Sequence, residues 1–170
     1  MPLVNYYSLI KEAKLLVEEL KSANLKICSI ESCTGGLFSY IITSIPGSST
    51  VYDFGIVSYS NNSKVKLANV NNKTITKYGS VSSQTAKEMS RNILDLSLEP
   101  EKCFSVSCTG IAGPGGGTKN KPVGTVYISF SNKNFNRTIK INYKKKDRKQ
   151  IRLNTVHDMI KNSVKIIKDF

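Results

Sequence analysis

The chain has 170 residues, of which 39% are hydrophobic and 22% charged, with a net charge of +13. Those proportions fit a single folded domain with one core, and they exclude a long disordered segment. No apolar run approaches the ~18 residues of a membrane span. The start, MPLVNYYSLIKEAK, has neither the basic opening nor the apolar stretch of a secretory leader, so a cytoplasmic protein with no membrane partner is expected.

Residues 6–23 set Leu9, Ile10, Ala13, Leu16, Val17 and Leu20 at helical spacing, and Asn24 closes that helix. LKICSI (25–30) is short, apolar and β-branched, a buried strand. Thr34-Gly35-Gly36 turns into a second helix over roughly 36–44, ended by Pro46-Gly47. VYDFGIVSYS (51–60) reads as a strand with a bulge or close approach at Gly55. NNSKVKLANV (61–70) reads as a short helix capped by Asn61 or Asn62. A further helix covers 82–97, with Ala86, Met89, Ile93 and Leu96 on one stripe. CFSVSC (103–108) is a third buried strand, followed by a glycine-rich loop over 109–124. TVYISF and NRTIKINY form an antiparallel pair through 132–134, and a last helix starts near 147.

This order predicts one α/β domain over 1–170. The fold is a three-layer α/β/α sandwich on a mixed, mostly parallel sheet. Ligands of such sheets bind beyond the carboxyl ends of the strands, which points to segments 31–36, 59–64 and 108–117.

The four cysteines form no C-x-x-C pair, and the chain has a single histidine. No metal site and no cofactor are expected from that set, and the thiols are read as reduced core residues. His157 lies in the last helix, far from any glycine-rich turn, which argues against a histidine-dependent triad.

A serine can lose its proton to a desolvated lysine instead. IESCTGG offers Ser32 or Cys33 as nucleophile, and SYSNNSK offers Tyr59 and Lys64. Pattern alone does not choose between Ser32 and Cys33. Gly110, Gly113, Gly115, Gly116 and Gly117 allow close backbone approach and an anion-binding nest, and Gly35-Gly36 at a helix start is a second such place. No Walker lysine and no G-x-G-x-x-G is present, which disfavours an ATPase or a dinucleotide fold. The net charge admits nucleic acid, an anionic surface or a phosphorylated small molecule. Its densest run, KKKDRK at 144–149, lacks interleaved aromatics, so nucleic acid is the lesser expectation.

Taken together, ESCTGG, IPGSS, GIVSYSNNSKVKLANV, YGSVSSQTAKEM, TGIAGPGGGTKNKPVGTVY and the DR pair resemble the CinA C-terminal domain family. The resemblance runs from about residue 7 to 168. It implies hydrolysis of the carboxamide of nicotinamide mononucleotide to nicotinic acid mononucleotide and ammonia, without metal, by a homodimer or larger assembly. By matching position it implies Ser32 as nucleophile, Tyr59 and Lys64 as the proton-handling pair, and Thr109 and Arg148 as substrate-positioning or transition-state groups. It also implies a substrate shell of Glu31, Thr34, Gly35, Gly36, Ser48, Gly110, Gly113 and Gly115. Amides near Gly35-Gly36 or Thr109-Gly110 are candidates for the oxyanion, and Arg148 with the glycine loop for the 5′-phosphate. The reading from another class is a non-catalytic nucleotide- or DNA-binding module tied to competence or DNA damage.

Overall fold

The structure, a computed structural model, describes residues 4–144 and 146–169. Five strands form one sheet in the order β2-β1-β3-β4-β5. Strand β1 (Lys26–Glu31) lies parallel to β2 (Tyr52–Val57) on one side and to β3 (Cys103–Gly110) on the other. Strands β4 (Thr125–Ser131) and β5 (Asn136–Asn142) continue the sheet in antiparallel pairings. The sheet is therefore mixed, with two parallel and two antiparallel pairings.

Helices cover both faces. On one lie α1 (Tyr6–Ser22), α2 (Leu37–Thr43) and α6 (Arg148–Lys168). Their apolar stripes, including Leu16, Phe38, Val156 and Ile160, pack with Phe104, Ile128 and Phe130 of the sheet. On the other lie α3 (Asn61–Ala68), α4 (Asn72–Tyr78) and α5 (Ser83–Asn92), where Ala68, Ile75 and Met89 meet Cys28 and Ile30. Strands β1 and β3 sit between two layers, so both are buried almost throughout, their serines as well as their apolar residues. Strand β2 is an edge and alternates between half-buried and exposed positions.

Local chemistry sets the helix ends. Asn5 and Ser8 form a reciprocal capping box at α1. At α3 the cap is Ser60, not Asn61 or Asn62. Ser60 Oγ accepts the Ser63 amide at 3.0 Å while Ser63 Oγ accepts the Ser60 amide at 3.0 Å. Asp147 caps α6 by accepting the Gln150 amide at 2.7 Å. Helix α5 stops at Asn92, and 93–96 continue as a 3-10 turn rather than as the expected helix to 97. Helix α4 has no counterpart in the sequence reading. Only Ile75 of its residues is buried, and Glu88 of α5 holds its start by accepting the Asn71 amide at 2.7 Å.

The three parallel strands end together. The Ser58 amide donates to the Glu31 carbonyl at 2.8 Å, and the Ser32 amide donates to the Cys108 carbonyl at 3.1 Å. These bonds bring the first residues after β1 and β2 beside the end of β3.

Candidate active site

A cavity of about 250 Å³ opens at that end of the sheet. Its wall includes Ser32 and Cys33 after β1, Tyr59 after β2, Lys64 from α3, Thr109 and Gly110 at the end of β3, and Arg148 from α6. Gly113 and Gly115 of the glycine loop complete it. So do Ile111, Ala112 and Gly116, which lie within the expected 108–117 segment, and Ser80 and Val81, which the sequence did not point to. Two basic side chains, Lys64 and Arg148, and no carboxylate line this cavity.

Lys64 belongs to the first turns of α3 and is 1% exposed. Its Nζ lies 2.9 Å from Ser32 Oγ, 2.7 Å from the Ser58 carbonyl oxygen and 3.3 Å from the Tyr59 carbonyl oxygen. Among the described residues no carboxylate pairs with it. Burial pushes its pKa below the ordinary lysine value, against a weaker upward pull from the Cys108 and Cys33 thiols. A neutral amine suits this setting. In that form its two N–H groups can meet the two carbonyls, which leaves its lone pair for the hydroxyl proton of Ser32.

Ser32, 7% exposed, carries the hydroxyl that Lys64 reaches. Cys33 also borders the cavity but packs into the core with Phe38 and Ile151. The hydrogen bond to Cys108, together with burial, pushes the Cys33 thiol well up, which leaves it protonated and a poor nucleophile.

The Tyr59 side chain does not bond to Lys64 or Ser32. Its hydroxyl accepts from Arg148 Nη2 at 2.7 Å, and Arg148 Nη1 donates to the Gly113 carbonyl at 2.8 Å. Arg148 thus bridges the segment after β2 and the glycine loop. Thr109 Oγ1 donates to the Ser80 carbonyl at 2.8 Å, which ties the 80–81 wall to β3. At Gly110 a side chain has no room, because a Cβ there would lie 2.6 Å from Val126 Cγ2. Gly113 has φ +77°, a conformation that glycine adopts without strain.

Several candidates lie off the cavity wall. Glu31 is fully buried and aims at the start of α2. It accepts from Thr34 Oγ1 (2.6 Å), the Phe38 amide (3.1 Å), the Ser39 amide (2.9 Å) and Ser39 Oγ (2.7 Å). Gly36, the residue before α2, has φ +88° and offers no side-chain cap, so Glu31 supplies that function from the preceding strand. Thr34, Gly35 and Gly36 form the turn behind Ser32, and the Gly35 amide is engaged with the Ser32 carbonyl at 3.1 Å. Ser48 lies before β2, at the opposite end of the parallel strands. A chain that leaves β1 at its carboxyl end and returns through α2 must enter β2 at the amino end, so IPGSS cannot reach this cavity within one chain.

His157 is not on the cavity wall. It bridges α1 and α6, with Nε2 3.2 Å from Glu12 Oε1 and Nδ1 3.2 Å from Asp158 Oδ1. Among the described residues no three His, Cys, Asp or Glu side chains gather as metal ligands, and no helix is long and apolar enough to cross a membrane.

The model of the CinA C-terminal domain family matches residues 10–166. A CinA-like protein of Endomicrobium trichonymphae is 43% identical over 150 residues, covering 87% of this chain and 33% of the relative. A putative competence-damage inducible protein of Clostridioides difficile is 44% identical over 148 residues, covering 87% of this chain and 34% of its own length. The chain thus spans about a third of the length of these curated relatives. Among solved structures, a competence/damage inducible protein from Agrobacterium tumefaciens superimposes with a TM-score of 0.87 at 36% identity, covering 92% of this chain and 94% of that one. One from Enterobacter asburiae gives a TM-score of 0.87 at 26% identity, covering 94% of this chain and 98% of that one. The motifs around the cavity, the matched span and the shared fold agree: the chain belongs to the CinA C-terminal domain family.

Proposed function

We propose that the chain is a nicotinamide mononucleotide amidohydrolase that uses Ser32 as nucleophile and Lys64 as its base. The observation that carries this reading is the 2.9 Å contact between Ser32 Oγ and a buried lysine amine that no carboxylate neutralises. A lysine in a plain structural role gains little from such a place, because burial of an unpaired ammonium is costly. A neutral amine beside a hydroxyl is what a base needs.

Ser32 Oγ attacks the carboxamide carbon, and its proton passes to Lys64 Nζ. The C–N bond of the tetrahedral intermediate then breaks, and the departing nitrogen takes that proton to leave as ammonia. An ester on Ser32 remains. Water, deprotonated by Lys64, attacks the ester carbon. Nicotinic acid mononucleotide leaves, and the Ser32 hydroxyl regains its proton. The Ser58 and Tyr59 carbonyls hold the amine throughout. They favour its protonated state in the intermediate and aim its lone pair at Ser32 in the free enzyme.

Arg148 and the glycine loop supply the anchor for the 5′-phosphate. Arg148, a cation with no opposing carboxylate on the wall, supports an anionic ligand, as does the net charge of +13. The Tyr59 hydroxyl orients Arg148, and the Tyr59 main-chain carbonyl orients Lys64. A homodimer working in the cytoplasm belongs to the same proposal. The test is incubation of the purified chain with nicotinamide mononucleotide, without added metal. Nicotinic acid mononucleotide and ammonia in equal amounts are expected, and tight salt-dependent DNA binding with no ammonia would favour the binding-module reading.

A further inference from the structure

Helix α6 places Arg148 and Arg152 one turn apart, on the same side of the helix. Arg148 reaches Tyr59 and Gly113, whereas Arg152 reaches the turn that carries Ser32. Arg152 Nε donates to the Thr34 carbonyl oxygen at 3.1 Å, and Nη2 donates to the same oxygen at 2.7 Å. Nη2 also lies 3.7 Å from the place a Cβ would occupy on Gly35, so the guanidinium lies close against this turn. Thr34 is held from its other side as well, where its hydroxyl donates to Glu31 and contacts Cys108 Sγ at 3.1 Å.

Two features set this contact apart from an ordinary surface arginine. Among the described residues no carboxylate pairs with Arg152, so both donors serve one neutral carbonyl. It also lies among like charges. Arg148, Lys149 and Arg152 crowd the first two turns of α6, where the Asp147 carboxylate is taken up as the helix cap. A cation among like charges, with no carboxylate paired to it and aimed at one backbone oxygen, is a local conflict of the kind that functional sites carry.

We infer that Arg152 is a positioning residue for the proposed reaction: by clamping the Thr34 carbonyl it fixes the Ser32–Gly36 turn and holds Ser32 Oγ at bonding distance from Lys64. Arg152 touches neither reactant nor cavity, so it acts only through that turn. The inference rests on the Ser32–Lys64 reading.

The test compares the wild type with Arg152→Met and Arg152→Lys for nicotinamide mononucleotide hydrolysis and for thermal unfolding. Arg152→Met is expected to lower kcat by about 100-fold, the scale of a misplacement of ~1 Å, with KM within about twofold. Arg152→Lys, which keeps a donor and the charge but not the two-pronged grip, recovers part of the loss. The midpoint of the pH–rate profile stays where it is, since Lys64 is untouched. An unchanged kcat in folded Arg152→Met, or a loss carried by KM alone, overturns the inference. Should Arg152→Met fail to fold, Arg152→Gln replaces it under the same criteria.

A second readout separates failure of the inference from failure of the function. The rate at which an aryl sulfonyl fluoride modifies Ser32, followed by intact mass, needs no nucleotide. If the wild type leaves nicotinamide mononucleotide unchanged, slower labelling in Arg152→Met still supports the clamp, and equal labelling rejects it.

Discussion

Lys64 Nζ and Ser32 Oγ meet at 2.9 Å although 32 positions separate them in the chain. The contact exists because β1 and β2 are parallel neighbours that end side by side. Ser32 is the first residue past β1, while α3, which begins soon after β2, turns Lys64 back over that end. A general base within hydrogen-bond reach of its nucleophile is the first geometric requirement of the proposed chemistry.

The pH dependence follows from which form of Lys64 is active. Burial lowers its pKa, and only the neutral amine accepts the Ser32 proton. The value of kcat/KM is therefore expected to rise with pH through the Lys64 pKa and to level off below the ordinary lysine range of about 10.4. Stability moves the same way. The unfolded chain holds the Lys64 proton to higher pH than the folded one, so this residue's cost to folding shrinks as pH approaches the unfolded value. A rate that falls with rising pH contradicts the assignment.

Glu31 is expected to act on the turn and not on the substrate. Its carboxylate accepts hydrogen bonds from Thr34, Phe38 and Ser39, and Glu31→Gln turns one of those acceptors into a donor facing other donors. A loss of about 1–3 kcal/mol in unfolding free energy is expected, together with a lower kcat and an unchanged KM. Chemical denaturation and steady-state kinetics on one preparation check both. A raised KM with full stability would place Glu31 against the substrate instead.

Arg148 is expected to distinguish substrates by their phosphate. Arg148→Ala is expected to raise KM for nicotinamide mononucleotide by about tenfold or more, the loss of one charge-assisted contact of ~1.5–3 kcal/mol. Hydrolysis of phosphate-free nicotinamide riboside is expected to change far less. Equal losses on both substrates contradict a phosphate role.

His157 supplies a control outside the site. The hydrogen bond to Asp158 raises its pKa, with help from Glu12 and against the effects of burial and Lys161. A raised folded value means stability that is full below the unfolded pKa of about 6.5 and is lost as pH climbs through the folded pKa. His157→Gln should remove that part of the pH dependence of the melting temperature and leave kcat unchanged. A change in kcat would bring His157 into the chemistry.

The layered fold was legible because its signals are local and strong. ICSI and CFSVSC are short runs of apolar residues and serine with no charge, and α1 and α6 keep one apolar stripe over several turns. Helix α4 was not legible, since NKTITKY buries only Ile75 and owes its place to Asn71 and Glu88. The cap of α3 was placed one or two residues late because three candidate cap residues, Ser60, Asn61 and Asn62, stand in a row. At the site, Ser32 and Lys64 were legible as chemical types, but their contact depends on strand order, which spacing does not encode. The partner of the Tyr59 hydroxyl was not legible for the same reason, since Arg148 comes from the far end of the chain. Arg152 left no signal, because an arginine in a basic helix start looks like a solvated charge until the Thr34 carbonyl is seen beneath it.

The most direct measurement is ammonia release from nicotinamide mononucleotide by the wild type, Ser32→Ala and Lys64→Met, each shown to be folded. Release by the wild type, with a loss of about 100-fold or more in each variant, is the predicted result. Release by Ser32→Ala at the wild-type rate would contradict the account, since it would move the nucleophile away from Ser32.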